Sequence, residues 1–180
     1  VLGASGGVGL ASVELGKRMG ATVIAAASTD EKLELCSKYG ADGTINYTNE
    51  DLKSTLKKLT DNKGVDVIFD PVGGNYTEAA FRGMAWEGRF LVLGFASGTI
   101  PKLPLNLPLL KGASVVGVFW GGFALGNPEA NTQNTMTLMQ WYAEGKLSPH
   151  IHRIYELKDT PKALEEMMYR KVMGKLVVQI

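Results

Sequence analysis

The sequence predicts an α/β protein built on a doubly wound parallel sheet, with a strand-helix-strand appendage at its C-terminal end. Three observations carry that expectation. Short apolar runs alternate with amphipathic helical stretches along most of the chain, the pattern of a parallel sheet covered on both faces. A glycine-rich turn, Gly3-Ala4-Ser5-Gly6-Gly7-Val8-Gly9, lies between the first apolar residues and the first helical pattern. Glycine itself is in excess: 22 of 180 residues, against a usual share of about 7%, mark places where backbone turns sharply or approaches something closely.

The elements follow in order. Val1-Leu2 is shorter than the roughly five or six residues of a buried strand, so the first strand is expected to be truncated here, with further residues upstream. Val8, Ala11, Leu15 and Met19 then recur at helical spacing until Gly20 stops the pattern. Strands are read at Thr22 to Ala27, Thr44 to Tyr47, Val65 to Asp70, Arg89 to Gly94 and Ser114 to Trp120. Helices are read at Glu31 to Tyr39, Asp51 to Leu59 and Tyr76 to Met84. Ser28 and Glu31 spell a capping box, S-x-x-E, worth about 1 kcal/mol to the helix they open. Gly98, Pro101, Pro104 and Pro108 predict a long irregular loop shaping a pocket rim. A helix from about Glu129 to Ala143 turns Met136, Met139 and Tyr142 toward a core. After Gly145 come a strand at His150 to Tyr155, a helix at Pro161 to Tyr169 and a last strand at Lys175 to Ile180. This tail has no place in a six-stranded sheet, so the chain divides into residues 1–147 and a separate segment, 148–180.

Composition narrows the function classes. Nineteen Lys+Arg against 18 Asp+Glu give a net charge of +1 with no block of one sign, which removes the electrostatic footprint of a nucleic-acid or anionic-membrane binder. The single cysteine, Cys36, excludes a disulfide within the chain and any multi-cysteine zinc site; its place in the second helix makes it a packing residue. No apolar run reaches transmembrane length and no basic signal region opens the chain, so the cytoplasm is the expected compartment.

Ala4-x-Gly6-x-x-Gly9 is a variant of the dinucleotide fingerprint, placed after a strand and at the mouth of a helix. Gly6 lets backbone approach a pyrophosphate, Gly9 lets helix pack on strand, and the free N–H groups of Gly7 and Val8 hold negative charge with the helix dipole. The fold expected is therefore an NAD(P)-binding Rossmann domain. An NAD-specific site would set Asp or Glu at the end of the second strand, but Ala27 stands there, followed by Ser28-Thr29-Asp30-Glu31-Lys32. A hydroxyl and a lysine without a repelling carboxylate favour NADP(H). The rival reading makes Asp30 the ribose acid; it lies three positions past the strand end. His150 and His152 alternate on one strand face without a third ligand nearby and are read as surface histidines. Asp70, before Pro71, is read as architectural.

The glycine turn together with Val65-Asp66-Val67-Ile68-Phe69-Asp70-Pro71-Val72-Gly73-Gly74, Gly88-Arg89-Phe90-Leu91-Val92-Leu93-Gly94-Phe95-Ala96-Ser97-Gly98 and Ser114-Val115-Val116-Gly117-Val118-Phe119-Trp120-Gly121 resembles the zinc-independent quinone oxidoreductase branch of the medium-chain dehydrogenase/reductase superfamily, across essentially the whole chain. The resemblance implies NADPH as cofactor, hydride transfer to a small quinone or α,β-unsaturated carbonyl, and a catalytic domain upstream of Val1 onto which residues 148–180 fold back. It implies that Gly6, Gly7 and Val8 hold the pyrophosphate and that Ser28, Lys32 and Tyr47 form the 2′-phosphate pocket. It further implies that Val72, Leu93 and Phe95 line the ligand edge of the sheet, with Phe119 and Trp120 near the nicotinamide, and that no zinc is bound. A homodimer through the edge strand Ser114 to Phe119 is also implied, as an unprotected apolar edge favours in any case. By itself the chain is expected to bind cofactor weakly and turn over nothing. Other readings left open are a non-catalytic NADPH sensor or crystallin-like protein, a zinc alcohol dehydrogenase, and an enoyl-reductase segment of a synthase.

Overall fold

Val1 and Leu2, too few for a strand, nonetheless hold the middle of the sheet. In the computed structural model, which describes residues 1–180, Leu2 forms a parallel bridge with Ala26 and donates its N–H to the Phe69 carbonyl at 3.0 Å, while the Val1 carbonyl accepts from Ala26 at 2.9 Å. On one side lie β1 (Ile24–Ala27) and β2 (Gly43–Asn46). On the other lie β3 (Val65–Asp70), β4 (Met84–Val92) and β5 (Ser114–Gly117). All pairings are parallel. Counting the opening residues as the first strand, the order across the sheet is 3-2-1-4-5-6, the doubly wound arrangement whose switch point lies between the first and fourth strands.

Helices α1 (Gly7–Arg18), α2 (Asp30–Lys38), α3 (Leu52–Leu59) and α4 (Tyr76–Arg82) alternate with the strands. They cover both faces of the sheet, which is why two cores form. One gathers Leu2, Ala26, Ile45, Leu56, Ile68, Phe81 and Phe90; the other gathers Ala4, Leu10, Val13, Val23, Ala25 and Cys36. Ala25 and Ala26 are neighbours in β1 yet belong to different cores, as the strand pleat requires. Cys36 is buried as packing.

Five expectations need correction. Strand β4 begins at Met84 rather than Arg89, because the register with β3 shifts between Val65 and Val67 and Glu87 adopts a positive φ of 58°; the interruption hides the first half from a period-2 reading. The proline-rich loop contains a helix, α5 (Asn106–Lys111), which tolerates Pro108 because the first turn needs no N–H from it. The edge strand ends at Gly117, and Trp120 opens α6 (Trp120–Gly126). Helix α7 (Pro128–Ala143) buries none of its residues, so Met136, Met139 and Tyr142, about 60% exposed, face no core within this chain. Helix α2 is capped by Thr29, whose Oγ1 accepts the Lys32 N–H at 3.4 Å; the expected Ser28–Glu31 box is displaced by one residue, and Ser28 is engaged by a side chain instead.

The tail comprises β6 (Ile151–Glu156), a 3-10 turn at Leu157–Asp159, α8 (Thr160–Met168) and β7 (Lys175–Gln179). Strands β6 and β7 pair in parallel as a sheet of their own. That sheet is anchored at the glycine turn. Gly174 bridges to Gly6 and donates its N–H to the Ser5 carbonyl at 2.8 Å. No helix is long and apolar enough to cross a membrane.

Candidate functional site

The glycine turn is built so that the start of α1 stays open. Gly6 donates to the Gly3 carbonyl at 3.0 Å, closing a tight turn, and Gly3 itself takes a positive φ of 57°. A Cβ on Gly9 would lie 2.3 Å from the Gly3 carbonyl oxygen, so only glycine lets α1 sit this close to the strand end. No side chain caps α1 and no acidic residue occupies its first turn. The N–H groups of Gly7 and Val8 therefore keep the unpaired donors and positive dipole end that an anion neutralises. A diphosphate fits this cradle.

A second cluster stands at the C-terminal end of β1. Ala27 is buried and carries no charge. Lys32 Nζ donates to Ser28 Oγ at 3.2 Å and to the Arg170 carbonyl at 2.9 Å. Burial holds the Lys32 ammonium below the usual lysine range, and the Arg170 charge lowers it further. Tyr47 stacks on Tyr76 with ring centroids 4.3 Å apart. Burial, then Tyr76, pushes the Tyr47 phenol up, with Arg170 and Ser28 acting the other way. Asp30, the rival ribose acid, is committed elsewhere: its Oδ1 accepts from Asn46 Nδ2 at 2.6 Å. Asn46 is buried, and its own Oδ1 accepts the Thr48 N–H, so the Asp30 carboxylate serves to fix the end of β2.

The opposite wall grows from Asp70. Its Oδ1 accepts the N–H groups of Val72 and Gly73, each at 2.8 Å, and its Oδ2 accepts from Thr77 Oγ1 at 2.9 Å. That buried carboxylate shapes the turn after β3, as expected. The turn sets Val72 over the glycine loop, its Cγ2 only 2.7 Å from where Gly3 would carry a Cβ. Phe95 packs over Gly73, its Cδ1 2.9 Å from where that glycine would carry a Cβ, and Leu93 donates to the Asp70 carbonyl at 3.0 Å. Val72, Leu93 and Phe95 are thus brought to the sheet edge that the glycine turn occupies. Phe119 and Trp120 are not drawn in: they start α6 with 82% and 67% of their surface exposed.

Arg170 was missed by sequence reasoning. It sits between Tyr169 and Lys171 in a tail with no motif, and only the long-range contact with Lys32 shows its place. Its backbone is left-handed, with φ 56°. His150 packs edge-on against Tyr39 and His152 lies 3.7 Å from Glu166; neither joins a cluster of three metal-ligating side chains.

A sequence profile described as zinc-binding dehydrogenase matches residues 7–141. The chain belongs to the zinc-binding dehydrogenase family. Among curated relatives of this zinc-binding dehydrogenase chain, quinone oxidoreductase-like protein 2 of Bos taurus is 38% identical over 181 residues, covering 100% of the chain and 52% of the relative. Its homolog in Nematostella vectensis is 36% identical over 179 residues, covering 99% and 49%. Escherichia coli quinone oxidoreductase, solved in complex with NADPH, superimposes with a TM-score of 0.90 at 28% identity, covering 99% of the chain and 56% of that structure. The Pseudomonas syringae quinone oxidoreductase gives 0.89 at 29% identity, covering 99% and 55%. The resemblance to the quinone oxidoreductase branch and the doubly wound fold are both borne out. The chain spans about half the length of the curated relatives it matches.

Proposed function

We propose that this chain is the NADPH-binding domain of a quinone or enone oxidoreductase. The observation that carries the reading is the meeting of Lys32, Ser28, Tyr47 and Arg170 at the end of β1, where Ala27 leaves the strand end uncharged and Asp30 is tied to Asn46. In this reading Gly6, Gly7 and Val8 hold the diphosphate and the Lys32 cluster selects the 2′-phosphate. Val72, Leu93 and Phe95 flank the nicotinamide half, and Phe119 and Trp120 reach it only in the assembled enzyme. The nicotinamide, when bound, supplies hydride to an electron-poor quinone or α,β-unsaturated carbonyl. The residues of this chain bind and orient it and shield one side from water.

Residues 1–147 form the cofactor domain in this proposal and 148–180 the segment that packs on a catalytic region outside this chain. No zinc is required, the compartment is cytoplasmic, and the chain alone is inactive. A homodimer through β5 belongs to the same reading: β5 pairs with β4 on one side only, Val115 and Val116 are exposed along it, and Val118 is exposed just beyond its end.

Titration of the chain with NADPH and NADH, followed by NADPH oxidation assays of the full-length protein against quinones and enones, tests the proposal. Tighter binding of NADPH and turnover of at least one acceptor class are expected. Equal affinity for both cofactors would overturn the 2′-phosphate assignment, and NADPH binding without turnover of any acceptor would favour a sensor.

A further inference from the structure

Helices α3, α4 and α5 lie on one face of the sheet, where Leu56, Phe81 and Leu107 share a core. Between them is a groove of about 290 Å³. Buried Leu107 and exposed Leu110 are its apolar lining; the rest is Lys53, Lys57, Arg82 and Lys111, with no carboxylate. Lys57, Arg82 and Lys111 are half-buried there. None of these residues belongs to the glycine turn or to the Lys32 cluster, and the hydride-transfer reading gives them no role.

The cations are accounted for singly but not together. Lys57, Arg82 and Lys111 stand in the last turns of α3, α4 and α5, where positive charge complements the helix dipole. Arg82 is also paired with Glu78 at 2.7 Å. Lys53 has neither reason: it stands in the first turn of α3, the end that disfavours a cation, and one turn before Lys57, a like charge on the same face. Lys53, Lys57 and Lys111 take part in none of the ion pairs of the chain. Lys111 is held in place, since its Nζ donates to the Met84 carbonyl at 2.6 Å, which leaves two of its three donors for another acceptor. Burial, then Lys57 and Lys53, holds its ammonium below the usual lysine range. Three like charges thus act on one another around a single concavity, an arrangement that a multiply charged anion relieves.

We propose that this groove is an anion site separate from the cofactor crevice, taking the phosphoryl group of a small phosphorylated molecule between Lys53, Lys57 and Lys111. A dianion matches three ammonium groups better than one carboxylate does, and lysines act as point charges that need no planar, bidentate partner. Leu107 and Leu110 give the groove an apolar side for the carbon skeleton of an ester. The assignment does not depend on the NADPH reading.

The test is calorimetric titration of the full-length protein with inorganic phosphate and with phenyl phosphate, against sodium chloride of equal ionic strength, with and without excess NADPH. One site that NADPH leaves in place is expected. Lys57→Gln is expected to weaken it by roughly tenfold, the scale of one charge-assisted contact, and Lys57→Arg to restore it, which separates lost charge from lost fold. Lys58→Gln, next along α3 but outside the groove, and Lys32→Ala leave it unchanged. Tighter binding of phenyl phosphate than of inorganic phosphate assigns the groove to an organic ester, and the reverse assigns it to the free ion. No binding beyond that of chloride, binding that NADPH displaces entirely, or equal losses from Lys57→Gln and Lys58→Gln overturns the proposal.

Discussion

Replacing Lys32 by alanine separates recognition of the phosphate from recognition of the rest of the cofactor. The ammonium lies between Ser28 Oγ and the Arg170 carbonyl at the end of β1. A phosphate about 4 Å from it would interact by about 4 kcal/mol per unit charge at an effective dielectric constant near 20. Desolvation, lost side-chain freedom and the sharing of the phosphate with Arg170 reduce the net loss on mutation to about 1–3 kcal/mol, or about 5- to 150-fold in Kd. NADH presents a neutral hydroxyl at the same place and is expected to lose less than about 0.5 kcal/mol from this source. The mutation also deletes the bond to the Arg170 carbonyl, which contributes about 1 kcal/mol to docking of the tail and reaches both cofactors equally. The decisive quantity is therefore the ratio of the two affinities, measured by fluorescence titration at fixed ionic strength because salt screens such contacts. If the NADPH:NADH ratio in Lys32→Ala equals that of the wild type, the phosphate is held elsewhere and the reasoning fails.

Three further outcomes follow from the same geometry. NADPH affinity is expected to fall with rising pH from below the ordinary lysine pKa of about 10.4, because burial holds the Lys32 ammonium low and its charge is lost early; it also falls in acid as the 2′-phosphate loses its second charge near about pH 6, and Lys32→Ala should flatten only the alkaline limb in a pH series of titrations. Gly9→Ala drives a Cβ to 2.3 Å from backbone and is expected to cost about 3 kcal/mol or more in urea denaturation, whereas Gly117→Ala, which meets nothing within 4 Å, should stay within about 0.5 kcal/mol. Asp70→Ala leaves the N–H groups of Val72 and Gly73 and the Thr77 hydroxyl without their acceptor, for an expected loss of about 4 kcal/mol; a loss under about 1 kcal/mol would show that the turn after β3 does not depend on that carboxylate.

What the sequence makes legible is set by the range of the interactions involved. The glycine turn, the apolar runs of β1 and β3, and the leucine spacing of α3 are local patterns, and each yields its element within a few residues. Strand β4 is half hidden because a break at Glu87 interrupts its alternation. Helix α5 is hidden because prolines that read as loop sit where a first turn accepts them. At the site, Ser28 and Lys32 stand four residues apart at a recognisable strand end, whereas Tyr47 enters only through family resemblance. Arg170 carries no local signature, since it arrives from 138 residues beyond the lysine it meets.

The division between legible and illegible also follows where burial lies. From the first residue to Leu107 the chain fills two cores, and beyond Leu107 its buried hydrophobic residues are only Tyr155 and Ala163. Helices α6 and α7 bury nothing, although a helix in a folded protein draws most of its stability from an apolar face packed against something. In this half the structure is held by strand pairing, by the bonds at Ser5 and Lys32, by the bonds of Arg18 and Glu14 to the Lys146 carbonyl and the Ser148 N–H, and by the main-chain bonds within each helix. Sequence periodicity identifies Met136, Met139 and Tyr142 as one apolar stripe but cannot say whether its cover lies in the same chain. The return segment has the opposite character: it adds little apolar burial, yet it is bonded both to the glycine turn and to Lys32. Its position is therefore governed by polar contacts, the Lys32–Arg170 bond at one end and the Gly174–Ser5 bond at the other.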